Sequence, residues 1–174
     1  MTRYIPRFAA IIVALAIMVA ATGVVLAATS AVTGNAQKQI KVVRENTTTA
    51  SATSNSTTYS DIPGATVSMT VPSSTNALLV ARFQSHGSVI QTSGCIVRIL
   101  VGATTMEPNG NYPFMGQANV SESVAGSGAI ERSLAVGPGT YTVKAQLRLA
   151  TANSVNSQCQ LSGWHFAVER HARS

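Results

Sequence analysis

Phe8 to Leu26 is a run of 19 residues without a charged side chain, preceded by Arg3 and Arg7 and followed by Ala27 and Ala28. Positive, then apolar, then small is the order of a secretory signal, so residues 1–27 are expected to form a signal helix cut before Ala28. The alternative is an uncleaved anchor, since ~20 apolar residues span a bilayer. Six alanines within the run make it only moderately apolar, which favours cleavage.

Residues 45–60 are almost entirely Ser, Thr, Ala and Asn, with no periodic apolar position. Such a segment buries too little to offset its ordering entropy. Residues 28–57 are therefore expected to be a flexible linker.

Beyond Pro63-Gly64 the pattern has period two. Val67, Met69 and Val71 alternate with small polar residues until Pro72. Further runs cover Ala77–Ser85, Cys95–Val101, Ile130–Val136, Tyr141–Leu149 and Cys159–Glu169. Alternation of this kind predicts half-buried antiparallel strands, one face to a core and one to water. In the last run Trp164, Phe166 and Val168 are expected on one face, with Leu161 and Ala167 on the other. Weak strands are expected around Tyr112–Gln117 and Ala118–Val124, with a turn at Asn109-Gly110-Asn111. No segment after the signal carries a capped helical stripe. Seven or eight strands in about 110 residues predict an all-β fold, an antiparallel two-layer β-sandwich of jelly-roll or immunoglobulin-like type. The domain is expected over residues 58–170, with a tail at 171–174.

Charge narrows the function classes. Without Arg3 and Arg7 the chain keeps ten Lys and Arg against six acidic residues. Lys38, Lys41 and Arg44 precede the expected domain and would attract anionic wall or membrane material weakly. Arg82, Arg98, Arg132, Lys144 and Arg148 are spread singly, which reads as solvated strand faces. Nucleic-acid binding needs a clustered basic face with stacking aromatics, and none is visible.

Cys95 and Cys159 are the only cysteines. An even pair in an exported chain predicts a disulfide. No Cys or His stands near either one to complete a metal site, so no metal or cofactor is expected. His86, His165 and His171 fall in no His-Glu-x-x-His pattern, there is no Gly-x-Ser-x-Gly, and Asp61 is the sole aspartate. The expectation is no catalytic residue and no enzyme. Trp164, the single tryptophan, reads as core rather than as an exposed sugar platform. Tyr112, Phe114 and Met115 form the best candidate for an exposed apolar binding loop, against the bland reading of a loop folded back onto the sandwich.

Cys95–Val101, the stretch Pro138–Gln146, Cys159 and the ending Trp164–Arg170 resemble the corresponding parts of secreted bacterial β-sandwich domains. The resemblance covers about residues 58–170 and implies no activity. The architecture is loosely similar to jelly-roll modules of the C1q/tumour-necrosis-factor type, a likeness that transfers no residue and no function. The leading expectation is a secreted, extracellular, non-catalytic domain of structural or adhesive role, with a cell-surface protein or glycan as partner. A carbohydrate-binding module is the alternative, and a secreted hydrolase the second. Contact with a membrane is expected only through an uncleaved N-terminal segment.

Overall fold

A computed structural model describes residues 32–34, 39–46, 52–91, 94–116 and 122–173. The expected signal helix and its cleavage point lie outside the described residues. Among the described residues ten strands form: β1 (Val32–Gly34), β2 (Gln39–Asn46), β3 (Ala52–Ser54), β4 (Ser60–Val71), β5 (Asn76–Ile90), β6 (Cys95–Val101), β7 (Thr104–Thr105), β8 (Ser123–Val136), β9 (Gly139–Leu149) and β10 (Gln158–Arg173).

They make two antiparallel sheets. The six-stranded sheet runs β1-β2-β10-β5-β8, with β3 also on β10; the four-stranded sheet runs β4-β9-β6-β7. The described residues are thus all-β and two-layered, as the alternation implies. Seven of the strands lie between Ser60 and Arg173. Both sheets turn their apolar positions inward. Val67, Val71, Val97, Ile99, Val143 and Leu147 face Leu79, Phe83, Leu161 and Phe166 in one core. Phe83 is its aromatic centre, with ring centroids 6.1 Å from Trp164 and 6.2 Å from Phe166.

Where the pattern breaks, the backbone shows why. On β10, the register with β5 slips between Leu161 and Trp164, and Gly163 holds φ +110°. One extra residue inverts the alternation. Leu161, expected opposite Trp164, therefore shares the core face with it: Cys159 and Leu161 are buried before the bulge, and Trp164, Phe166 and Val168 after it. The partner strand makes room at Gly87, where a Cβ would stand 2.0 Å from the carbonyl oxygen of Gln160. A second slip lies in β4 between Asp61 and Thr66. Pro63 has no N–H for the ladder, and Gly64, at φ +80°, passes within 3.4 Å of the Trp164 ring by its would-be Cβ. The Trp164 indole N–H is buried and, among the described residues, meets no protein acceptor.

Four expectations are corrected. The described part of residues 28–57 is not a free spacer: β2 pairs along β10 from Trp164 to Arg170, and β3 pairs with Cys159–Leu161. An open edge of β10 supplies hydrogen bonds that composition cannot reveal, and Ala52 and Ser54 are buried beneath it. The domain therefore does not begin at residue 58. The tail at 171–173 continues β10, with His171 opposite Leu78 and Ala172 opposite Ala77. Of the two weak strands, the stretch around Tyr112 makes a single bridge among the described residues, Met115 to Cys95. Ser123 and Val124 instead open the long β8, and residues 117–121 lie outside the described residues.

Candidate functional site

The cysteines form the expected disulfide. Cys95 opens β6 in one sheet and Cys159 lies at the start of β10 in the other, with a Cα–Cα distance of 5.6 Å. Both are fully buried, so the bond is a staple between the layers rather than a reactive group.

The candidate binding loop is split. Phe114 is 6% and Met115 3% exposed, whereas Tyr112 is 68% exposed. The Phe114 N–H donates to the carbonyl of Cys95, and its ring enters the core 5.6 Å from Phe83. Phe114 and Met115 close the gap between β6 and β8, so the expectation of an exposed apolar loop is corrected to Tyr112 alone. The physical reason is that the four-stranded sheet leaves its β6 edge short of β8, and the nearest apolar side chains fill it.

The outer face of the four-stranded sheet holds a cluster that single-residue reading missed. Register places Asp61 of β4 and Arg98 of β6 on either side of Gln146 on the central strand β9. Arg98 Nε donates to Gln146 Oε1 at 2.8 Å, and Gln146 Nε2 donates to Asp61 Oδ1 at 2.6 Å. Lys144 Nζ reaches Asp61 Oδ2 at 2.9 Å. The hydrogen bond from Gln146, then that from Lys144, holds the Asp61 carboxyl below its ordinary value. Just before β4, the Tyr59 ring lies under two guanidinium groups, Arg98 at 3.8 Å and Arg148 at 5.0 Å from its centroid. Among the described residues, three cations thus crowd one face against a single carboxylate. A shallow cavity of about 70 Å³ adjoins it, lined among others by Tyr59, Arg98, Asn109, Asn111 and Arg132.

The strand alternation of Thr142, Lys144, Gln146 and Arg148 already placed two of these cations on one face. Arg98 and Tyr59 arrive only through strand order, which no local pattern shows.

A second charged group sits on the outer face of the six-stranded sheet. Buried Glu169 accepts from Arg82 Nη1 at 2.6 Å and lies 3.2 Å from His171 Nε2. Arg82 also bonds Glu131, and these carboxylates raise its pKa, Glu131 foremost. The group ties β5, β8 and β10 together. His86 is exposed and His165 half-buried. Among the described residues, no three His, Cys, Asp or Glu side chains group as metal ligands.

Fold and site define a two-layer antiparallel β-sandwich with a cationic sheet face. No protein-family model matches the sequence, and no curated protein matches it. Solved structures are similar at the level of architecture. The globular domain of zebrafish complement 1qA is 18% identical at a TM-score of 0.36, covering 78% of this chain and 96% of that one. Dimeric latent PorU from Porphyromonas gingivalis is 9% identical at 0.46, covering 83% of this chain, which spans 14% of that one. The CBM35 from Paenibacillus barcinonensis is 13% identical at 0.28, covering 77% and 92%. At these scores no ligand or assembly carries over.

Proposed function

We propose that the chain is an exported, non-catalytic binding domain that takes an anionic polysaccharide of a cell surface on the outer face of its four-stranded sheet. The observation that carries this reading is the convergence of Arg98, Lys144 and Arg148 around Tyr59, opposed among the described residues by the Asp61 carboxylate. Such a face presents fixed donors to carboxylate or sulfate groups, and guanidinium forks suit these anions. The signal-like first 27 residues and the disulfide support export. Trp164 lies in the core and the Tyr59 ring lies beneath Arg98, which favours charge over ring stacking as the source of affinity.

The test is retention on immobilised dextran sulfate and polygalacturonate, with neutral dextran as control. Retention should fall as salt is added, because exposed charges are screened. The triple variant Arg98→Gln, Lys144→Gln, Arg148→Gln should be retained at least tenfold less. Equal retention of both proteins, or none on either polyanion, refutes the reading. Export is tested separately by N-terminal sequencing of secreted material, expected to begin at Ala28.

A further inference from the structure

β8 ends the six-stranded sheet, paired with β5 on one side. Among the described residues, its other edge meets a single bridge, Glu107 to Ser133. The hydrogen bonds show which backbone groups point which way. The carbonyl of Glu122 accepts from Gln91, next to β5, while the N–H and C=O of Ser133 both bond Glu107 on the far side. In an antiparallel ladder these directions alternate. Even-numbered residues therefore face β5, and residues 123, 125, 127, 129 and 131 turn their N–H and C=O to the open edge.

Open edges are commonly guarded by charge, proline or a bulge. This one has no proline and no bulge, and no charge over Ser123–Ile130; its one charged outward residue, Glu131, is bound by Arg82 of β5. Its pairing with β5 runs in unbroken register. Ser123, Ala125, Ser127 and Ala129 are all exposed.

The sequence is also self-complementary about Ser127. Gly126 mirrors Gly128, Ala125 mirrors Ala129, Val124 mirrors Ile130, and Glu122 mirrors Arg132. A two-fold axis through Ser127 would pair 123 with 131, 125 with 129, and 127 with itself. Those are the residues whose backbone groups face outward, so the symmetric register and the hydrogen-bonding register coincide. The same register sets Val124 opposite Ile130 of a second copy and Glu122 opposite Arg132 of it, apolar on apolar and acid on base. Gly128 has a reason within the chain, since a Cβ there would stand 2.2 Å from the Phe114 carbonyl oxygen, but Gly126 has open space around it.

We propose that β8 is a homodimerisation edge, two copies pairing antiparallel through residues 123–131 with Ser127 on the two-fold axis. Such an interface is isologous and closed. Backbone hydrogen bonds supply attraction, and the mirrored side chains supply register. It joins the two six-stranded sheets edge to edge and leaves the cationic faces of the other sheets open.

Sedimentation of the purified chain over a concentration series should show a dimer, and Ser127→Pro, which removes the central outward N–H, should shift it to monomer. Because proline in a strand can also unfold it, a second measurement fixes the register. Residues paired across a two-fold axis lie within disulfide reach, about 5.5 Å between Cα atoms. Ser127→Cys should form an intermolecular disulfide on oxidation at least tenfold faster than Ala125→Cys alone. Ala125→Cys mixed with Ala129→Cys should cross-link as readily as Ser127→Cys. A monomer at every concentration, a dimer untouched by Ser127→Pro, or equal cross-linking at residues 125 and 127 overturns the proposal.

Discussion

The Phe114 ring packs against Phe83 with centroids 5.6 Å apart at an interplanar angle of 51°. A side chain from the connection after β7 thereby completes the core face of the opposite sheet. Its backbone also lies against Gly128, so one residue touches three elements. Phe114→Ala should cost about 3–5 kcal/mol, the range for deleting a buried aromatic ring. Tyr112→Ala, two residues away but exposed, should stay within about 0.5 kcal/mol of wild type. Urea unfolding of both variants checks the contrast, and comparable losses would mean that the loop is not the plug it is described as.

The Cys95–Cys159 bond closes a sequence separation of 64 residues and links the two layers. The chain-entropy relation for a loop of that length gives about 4 kcal/mol, a large share of the ~5–15 kcal/mol of a typical domain. Reduction should lower the unfolding midpoint sharply, and the double variant Cys95→Ala, Cys159→Ala should do so without reductant. Two free thiols in unfolded, unreduced protein would contradict the pairing.

Strand β3 buries Ala52 and Ser54, and the carbonyl of Ser56 accepts from the N–H of Leu149. A chain starting at Thr58 exposes the backbone edge of Cys159–Leu161 and should lose more than about 1 kcal/mol, beyond typical surface effects. Denaturant unfolding against the intact chain decides this. Unchanged stability would restore the reading of residues 28–57 as a dispensable linker.

Gln146 first and Lys144 second hold the Asp61 carboxyl below its ordinary value of 3.8. A depressed value in the folded state means that the unfolded chain binds the proton more tightly. The contribution is therefore complete above the ordinary carboxylate range and is lost as pH falls through it toward the folded value. Wild type should lose its advantage over Asp61→Asn below about pH 4. Asp61 is half exposed, so the step is small. Thermal unfolding of both proteins from neutral to acid pH reads it, and a constant difference across the range would show that the carboxylate is not coupled to folding.

Much of this protein is determined by local sequence alone. Period-two alternation in Val67–Val71, Cys95–Val101 and Tyr141–Leu149 dictates half-buried strands, because side chains on a pleated backbone must alternate between core and water. The cysteine count pointed to the staple, and the neighbours of Trp164 on one strand face placed it in the core. What needs the tertiary structure is whatever depends on which strands are neighbours. Alternation alone sets Lys144 and Arg148 on one strand face, but only the order β4-β9-β6 brings Arg98 and Tyr59 to them. The polar stretch 45–60 shows no apolar pattern, yet β3 within it adds to β10 through backbone groups that every residue carries. Phe114 and Met115 read equally well as a loop tip or as core, and the gap between β6 and β8 decided between them. The bulge at Gly163 likewise put Leu161 on the face opposite to simple alternation. Side-chain periodicity is written locally, whereas strand order, register and the voids that loops must fill arise only when the sheets close on one another.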